Sequence, residues 1–578
     1  MASRVEESER ERIDRLGRER PLQFKTAFAE VCFVYSLLAS QFMAEYFVSG
    51  FNLLIPTLIA DLNIPPASAV WPAGAFALVT AAFLLPCGRF ADMYGGYPIY
   101  MAGLIWFTIW SVIAGFSRNE LMLDVSRAMA GLGPAAFLPS GVMLMAKGYR
   151  PGPRKNLVFG LYGGSAPLGF FFGIFIAGLT GSFLRFGWYF WIGALLTLST
   201  AVTAFLTLPN DSVEQRQKGV QMDWVGAALI TSGLILVVFA VTDSSGAPDG
   251  WRTPYIPSTL LAGLLLLALA VYVEGWIAHS PLIPFDLFAV PYLKPLFVAL
   301  FFSYGTLGVF LFYATLYMQD IMGASPLLVS AWYAPMSLIG ILISVSGGYF
   351  LHLVPGTVLL PVSAAGWIIT SLLFATAPDP ASYWAVVFPA MICATIGIDL
   401  TFNTTNVFIT THLSSKRQGL AGALINSLLY LGIAVLIAFA DLVQTSTAAS
   451  TTTTTTTTSS SATLETNTTA MPNTRAARRR GYKSVFWYQF ACSLTTLLIL
   501  LVFVRVKRAQ SDFTVDEKEA ATAAAAAAAA ATTTASRSLQ EQEQEQGPGH
   551  TTAQTAERTM EQELARHGTD GKNTKRST

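Results

Sequence analysis

LMLDVSRAMAGLGPAAFLPSG, Leu121 to Gly141, is the stretch that decides how this chain is read. It is long and apolar enough for a membrane-spanning helix. It nevertheless carries Arg127, with Gly131 and Gly133 just after it and Pro134 behind them. A guanidinium in hydrocarbon costs roughly 2.5–3.5 kcal/mol on the insertion scale, so Arg127 is expected to face protein or water rather than lipid. Glycines one turn on let a second helix approach closely. Apolar segments on both sides read as further spans. The fold class is therefore an all-α polytopic membrane protein with a charged interior.

Composition points the same way. Of 578 residues, 53% are hydrophobic and only 12% charged, against about 25% charged in a soluble domain. A net charge of +1 without a sustained basic surface argues against nucleic-acid binding. Cys32, Cys87, Cys393 and Cys492 fall in apolar segments with no metal-ligand or CxxC spacing. They read as buried free thiols, and neither a metal nor a cofactor is expected. Residues 1–27 are too charged for a cleaved signal peptide and read as a cytoplasmic tail before a signal-anchor span.

At about 20 apolar residues per span, the chain holds fourteen. They lie near 31–58, 70–88, 98–117, 122–146, 157–181, 187–208, 224–242, 258–276, 295–317, 327–350, 357–377, 383–407, 419–441 and 485–504. Short loops on one side hold Arg89, Lys147, Arg150, Arg154, Lys155, Arg216, Lys218, Lys294, Lys416 and Arg417. Those on the other hold only Arg118, Arg185 and Arg252. The positive-inside rule then places both termini in the cytoplasm of a multi-pass cell-membrane protein, the vacuolar membrane being the other candidate. Segment 442–483, with TTTTTTTTSSS and a glycosylation sequon at Asn467, reads as a solvated extracellular loop, although Arg475 to Lys483 is basic. The tail 506–578, with its polyalanine run and EQEQEQ stretch, reads as cytosolic and disordered.

Two spans carry polar stripes. In the first, Gln41, Glu45, Ser49 and Asn52 are spaced by four, four and three and share one helical face. In the twelfth, Thr395, Asp399, Asn403, Asn406 and Thr410 do the same, with Asp399 the only acid. A carboxylate within a span marks a functional site by default, and one withdrawn from water suits reversible protonation. A helix–helix hydrogen-bond network or a buried salt bridge is the plainer alternative. The fifth span repeats small residues every four positions, Ser165, Gly169, Gly173, Ala177 and Gly181, with Pro167 among them, a face suited to packing or to gating.

GRFADMYGG after the second span, with Gly88, Arg89, Asp92 and Gly95, resembles the loop signature of the major facilitator superfamily. SRAMAGLGPAA around Arg127 resembles its fourth-helix motif, and GGSAPLGFFFG, which contains Gly164 and Pro167, is similar to its antiporter motif in degraded form. QGLAGALINS, which includes Asn426, and GYKSVFW resemble segments flanking the last helices of fungal fourteen-helix members. The resemblance covers about residues 28–505. It is nearest to the fungal aminotriazole-resistance and low-affinity ammonium transporter-like group of drug:proton antiporters. Departures stand at Met93, Gly96 and Tyr97, where basic residues are usual, at Ala130, at Ala166-Pro167, and at Phe47, where many members have an aspartate.

The resemblance implies two six-helix halves, 28–208 and 295–441 with 484–505, joined by two inserted helices within 209–294. It implies a solute site near the bilayer midplane between halves that rock to expose one side and then the other. On this reading the chain exports a small organic molecule, such as a drug, toxin or secondary metabolite, in exchange for protons. Glu45 or Asp399 binds the proton, and Arg127 supplies the fixed positive charge they answer to. Gly88, Arg89, Asp92 and Gly95 latch the cytoplasmic side; Gly131, Gly133, Gly164, Pro167, Gly169 and Gly173 serve packing or gating. Gln41, Asn52, Asn403, Asn406 and Asn426 line the cavity. The expected partners are a small-molecule solute, protons and the lipid bilayer, around a monomer. Uptake or low-affinity passage of a small polar solute such as ammonium is the alternative. A receptor or intramembrane enzyme is remote: His279, His352, His412, His550 and His567 all fall in predicted loops or the tail, and no Walker loop is present.

Overall fold

The computed structural model describes residues 19–506 apart from 22, 66–67, 150–152, 218, 279, 351–353, 413–414 and 459–473. They belong to one compact unit; a second, Phe513–Thr578, lies outside the described residues. The fourteen long helices are α1 Ala27–Leu62, α2 Trp71–Tyr94, α3 Gly96–Gly115, α4 Glu120–Gly148, α5 Pro153–Phe183, α6 Gly187–Thr207, α7 Trp224–Asp243, α8 Tyr255–Tyr272, α9 Leu293–Leu316, α10 Ala334–Phe350, α11 Gly356–Ala375, α12 Phe388–His412, α13 Ser415–Thr458 and α14 Thr474–Phe503. A short helix, Pro326–Trp332, leads into α10. Fourteen segments are long and apolar enough to cross a membrane, and no strand occurs among the described residues.

Local sequence sets the helix ends. Thr26 caps α1 by accepting from the Ala29 amide at 3.1 Å, and Asn119 caps α4 by accepting from Met122 at 2.9 Å. Each relieves one orphan amide of its first turn. Glu120 in the first turn of α4 and Lys147 in its last oppose the helix dipole.

Two six-helix groups result. In the first, α1 packs on α5 and α6, α2 on α4, and α3 on α4 and α6. In the second, α9 packs on α13 and α14, α11 on α12 and α14, and α10 on α12. The groups meet along α2–α13, α5–α10 and α1–α9. The inserted pair, α7 and α8, packs on itself, and α7 lies against α2 and α13 at the seam. Leu261, Leu265 and Leu269 of α8 are exposed, as a lipid-facing helix requires. We call the face at which α1 begins proximal and the opposite face distal.

Some boundaries differ from expectation. Segment 442–483 is helical at both ends, because α13 runs on to Thr458 and α14 starts at Thr474. The Thr445 and Thr447 hydroxyls fold back onto the carbonyls of Asp441 and Val443, so these side chains are satisfied within the helix itself. Asn467 lies outside the described residues, as do most of the charged N-terminal tail and the C-terminal tail. The basic run at 475–483 caps helix ends: Arg475 donates to the Ile321 carbonyl at 2.6 Å, and Arg479 and Lys483 to Ala377 at 3.0 and 2.7 Å. Those carbonyls close the distal ends of α9 and α11, where cations are favoured. His412 is the last residue of α12 rather than a loop residue, while His279, His352, His550 and His567 lie outside the described residues. The four cysteines are free, but only Cys492 is fully buried; Cys32, Cys87 and Cys393 are half-buried.

Candidate functional site

The site begins with how α1 is held. Gly169 and Gly173 of α5 lie against the backbone of Phe42 and Tyr46, so no side chain separates the two helices there. From the other side, Tyr46 and Tyr189 stack with ring centroids 4.8 Å apart and planes 7° apart. Each hydroxyl donates to the other residue's carbonyl, Tyr46 at 2.9 Å and Tyr189 at 2.6 Å. Ser49 adds a bond to the Phe170 carbonyl at 2.8 Å. The rotation of α1 is thereby fixed, and with it the direction of its polar stripe.

That stripe is a connected network. Gln41 donates to Glu45 Oε1 at 3.3 Å and accepts from the Tyr162 hydroxyl of α5 at 2.9 Å. The Asp399 carboxylate of α12, from the opposite half, lies within electrostatic reach of Glu45. Tyr430 of α13 lies within electrostatic reach of Glu45 and Tyr162. Asp399 is half-buried and closely confined: a Cβ on Gly340 of α10 would stand 2.8 Å from Asp399 Oδ2 and 3.6 Å from Pro167. Thr395, one turn earlier, donates to the Met336 carbonyl at 3.1 Å and so ties α12 to α10.

Arg127 occupies a neighbouring position. It is 2% exposed, with its guanidinium 3.9 Å from the Phe51 ring centroid and 4.3 Å from that of Phe76. Its Nε donates to the Pro72 carbonyl at 3.0 Å and Nη1 approaches that of Phe47 at 3.5 Å. Aromatic faces and backbone carbonyls thus replace water around the charge. Tyr189 and, one turn earlier on the same helix, Asp124 lie within electrostatic reach of it. Arg127 and Asn52 line a small cavity closed by Phe51, Phe76, Tyr430 and Ile433. Asn52 Oδ1 is buried there without a hydrogen-bond partner among the described residues.

The remaining candidates divide. Gly131 lies against the Phe76 carbonyl and Gly133 against the Phe107 ring, so both are close-approach points. Gly164 has no atom within 4 Å of a would-be Cβ, and the same holds for Gly160, Gly163 and, on α13, Gly422. Those glycines border open space toward the proximal face. At the distal face the halves are joined: Gln319 donates to the Leu53 carbonyl at 2.9 Å, and the Leu327 amide to Ser182 Oγ at 3.0 Å. Asn403 and Asn406 are half-buried on α12, and Asn426 is half-buried and bonded to the Gly422 carbonyl at 3.0 Å.

The loop after α2 grips something other than the second half. Arg89 donates to the Gln221 carbonyl at 3.0 Å and to that of Ser280 at 3.4 Å, the two linkers that flank the inserted helices. Gly88 packs on Pro139, and Asp92 is exposed. Gly95, at φ +108°, leaves room for Asp211, which no side chain at 95 would. Asp211 accepts from the Gly96 and Tyr97 amides at 3.1 and 3.0 Å and pairs with Lys147 at 2.6 Å. Burial pushes the Asp211 carboxyl up, but Lys147 and the two amides outweigh it and hold it below the usual carboxylate value. Glu30 takes a bidentate bond from Arg154 at 2.7 and 2.6 Å. Nothing in residue type or spacing singles out Tyr162, Tyr430 or Asp211. For Asp124 a signal existed: an acid one turn before a buried arginine.

Comparison with known proteins adds the family. The sequence profile of the Major Facilitator Superfamily matches residues 37–437. The chain is 31% identical to the low affinity ammonium transporter of Saccharomyces cerevisiae, covering 74% of this chain and 83% of that one. It is 29% identical to the efflux pump terJ of Aspergillus terreus, over 72% and 81%. An auto-inhibited peptide transporter of the POT family superposes with a TM-score of 0.56 at 15% identity, over 84% and 98% of the chains. That last likeness concerns the fold alone.

Proposed function

We propose the function from one premise: this chain belongs to the Major Facilitator Superfamily, and is a multi-pass membrane protein of its small-molecule transporters. On that premise it exports a small organic molecule in exchange for protons by alternating access. What supports the reading is the placement of one carboxylate in each half: Glu45, held by Gln41 beside Tyr162, and Asp399, set against Gly340 and within electrostatic reach of Glu45. Like charges repel more the nearer they stand, so a proton shared between the two carboxyls answers to how the halves are placed. Rocking the halves separates them and removes the repulsion. The proton is then bound unequally in the two states, which coupling requires. Tyr162 and Gln41 orient Glu45, and Gly340 leaves the room Asp399 occupies. Arg127, tied to the backbone beside Asn52 and Tyr430, supplies a fixed positive field at the edge of the solute space.

The test uses purified protein in liposomes, with candidate solutes offered with and without an imposed pH gradient. Accumulation that follows the gradient supports exchange; flux of a genuine substrate indifferent to it removes the coupling. The similarity to a low affinity ammonium transporter favours a second reading, passage of a small polar solute such as ammonium. Ammonium flux in the same liposomes, together with no movement of organic cargo, would select it.

A further inference from the structure

Asp441, near the distal end of the described membrane segment of α13, has no part in the scheme above. It is 2% exposed, and its Oδ2 has no hydrogen-bond partner among the described residues. Tyr313 of α9 is fully buried, with its hydroxyl beside the carboxylate yet outside hydrogen-bond geometry. Ser245, in the turn between α7 and α8, approaches from a third side. From α14, Tyr482 and Tyr488 stand near Tyr313. No lysine, arginine or second carboxylate acts on Asp441 among the described residues. A lone carboxyl in such a place persists only as an acid or with donors turned toward it.

A route connects it to the distal face. Tyr482 donates to Asp320 Oδ2 at 2.6 Å, and its ring centroid lies 6.1 Å from that of Tyr313. Asp320 is half-buried at the distal end of the segment that continues α9. The hydroxyls of Thr306 and Tyr317, at helical spacing from Tyr313, are also buried and without a hydrogen-bond partner among the described residues, with Arg479 near Tyr317, which makes a polar stripe on an otherwise apolar helix.

We propose that Asp441 is a second proton-binding site, reached from the distal face through Asp320, Tyr482 and Tyr313. A proton from distal water binds the carboxylate and leaves by the same route, with no other bond made or broken. In the charged form Asp441 draws the Tyr313 and Ser245 hydroxyls toward itself and ties the inserted helices to α9 and α13; protonation loosens that tie. Its place in transport rests on the proton-coupled reading, but its existence does not.

Infrared titration of the purified full-length chain in liposomes tests it, following the protonated-carboxyl stretch. Asp441→Asn should remove one pH-dependent band, and Tyr313→Phe should move that band's midpoint by about one pH unit, the tenfold worth of one lost hydrogen bond. Asp441→Glu, which keeps a titratable group, should retain a titrating band and so guards against a misfolded Asn variant. Identical titrations in wild type, Asp441→Asn and Tyr313→Phe overturn the site. If wild type shows no gradient-driven flux while the band still titrates, the exchange mechanism fails and the site stands.

Discussion

Gly340 of α10 and Asp399 of α12 fit one another closely: the Cβ that Gly340 lacks would lie 2.8 Å from Asp399 Oδ2. A methyl group there must displace the carboxylate, with Pro167 of α5 closing the far side. Gly340→Ala is therefore expected to lower gradient-driven flux about tenfold, as for loss of one charge-positioning contact. Membrane insertion and yield should stay normal. Unchanged flux would mean that the position of Asp399 is immaterial.

Glu45 and Asp399 should behave as a unit. Asp399→Asn and Glu45→Gln are each expected to abolish gradient-driven flux, and the double variant to be no worse than either single one, as for residues acting in one step. Liposome flux at matched protein density measures this. Additive losses would show two independent tasks.

The pairing of Tyr46 with Tyr189 predicts a stability effect separable from transport chemistry. Tyr189→Phe removes a buried donor and leaves the Tyr46 carbonyl without that partner, which costs about 1–3 kcal/mol. The stacked rings remain. Thermal unfolding in detergent should show the loss, and Tyr46→Phe should show a similar one.

How far the sequence reaches can be judged from these same residues. Glu45 and Asp399 were legible because a polar stripe at helical spacing stands out in an apolar span. Their convergence was not, since no periodicity says which faces of α1 and α12 meet. Tyr162 and Tyr430 were hidden for another reason: a tyrosine in a span reads equally well as a lipid-facing or interfacial residue. The two six-helix groups and the inserted pair followed only from the family resemblance that the motifs carry; span count alone gives fourteen helices and no grouping. The partner of Arg89 was not, because the linkers at Gln221 and Ser280 reach it only through the fold. Threonines 451–458 read as loop by composition, whereas α13 continues through them.

Asp211 gives a pH dependence with a definite sign. Its carboxyl is held below the ordinary value by Lys147 and the amides of Gly96 and Tyr97. A carboxyl that is more acidic folded than unfolded adds stability above its unfolded value and loses it as pH falls through the folded one. The contribution is thus fully present near neutrality and fades in acid. Asp211→Asn should be less stable than wild type at neutral pH, and the gap should close on acidification. A gap that is constant with pH would mean that the side chain's shape, and not its charge, holds the α3 start.

Arg127 permits the sharpest separation of charge from shape. Lysine keeps the positive charge but has neither the planar face that lies over Phe51 and Phe76 nor the Nε donor to Pro72. If Arg127 acts only as a fixed positive field, Arg127→Lys should keep most gradient-driven flux while Arg127→Gln loses it. If it acts by pinning α4 to α1 and α2, both variants should fail together and both should unfold at lower temperature. The carbonyls of Pro72 and Phe47 accept from the guanidinium at 3.0 and 3.5 Å, and two rings flank it, so shape carries much of its fit. The expected outcome is intermediate: Arg127→Lys inserts and folds, with flux reduced about tenfold, and Arg127→Gln is inactive. Flux of Arg127→Gln equal to wild type would remove the charge from the mechanism altogether.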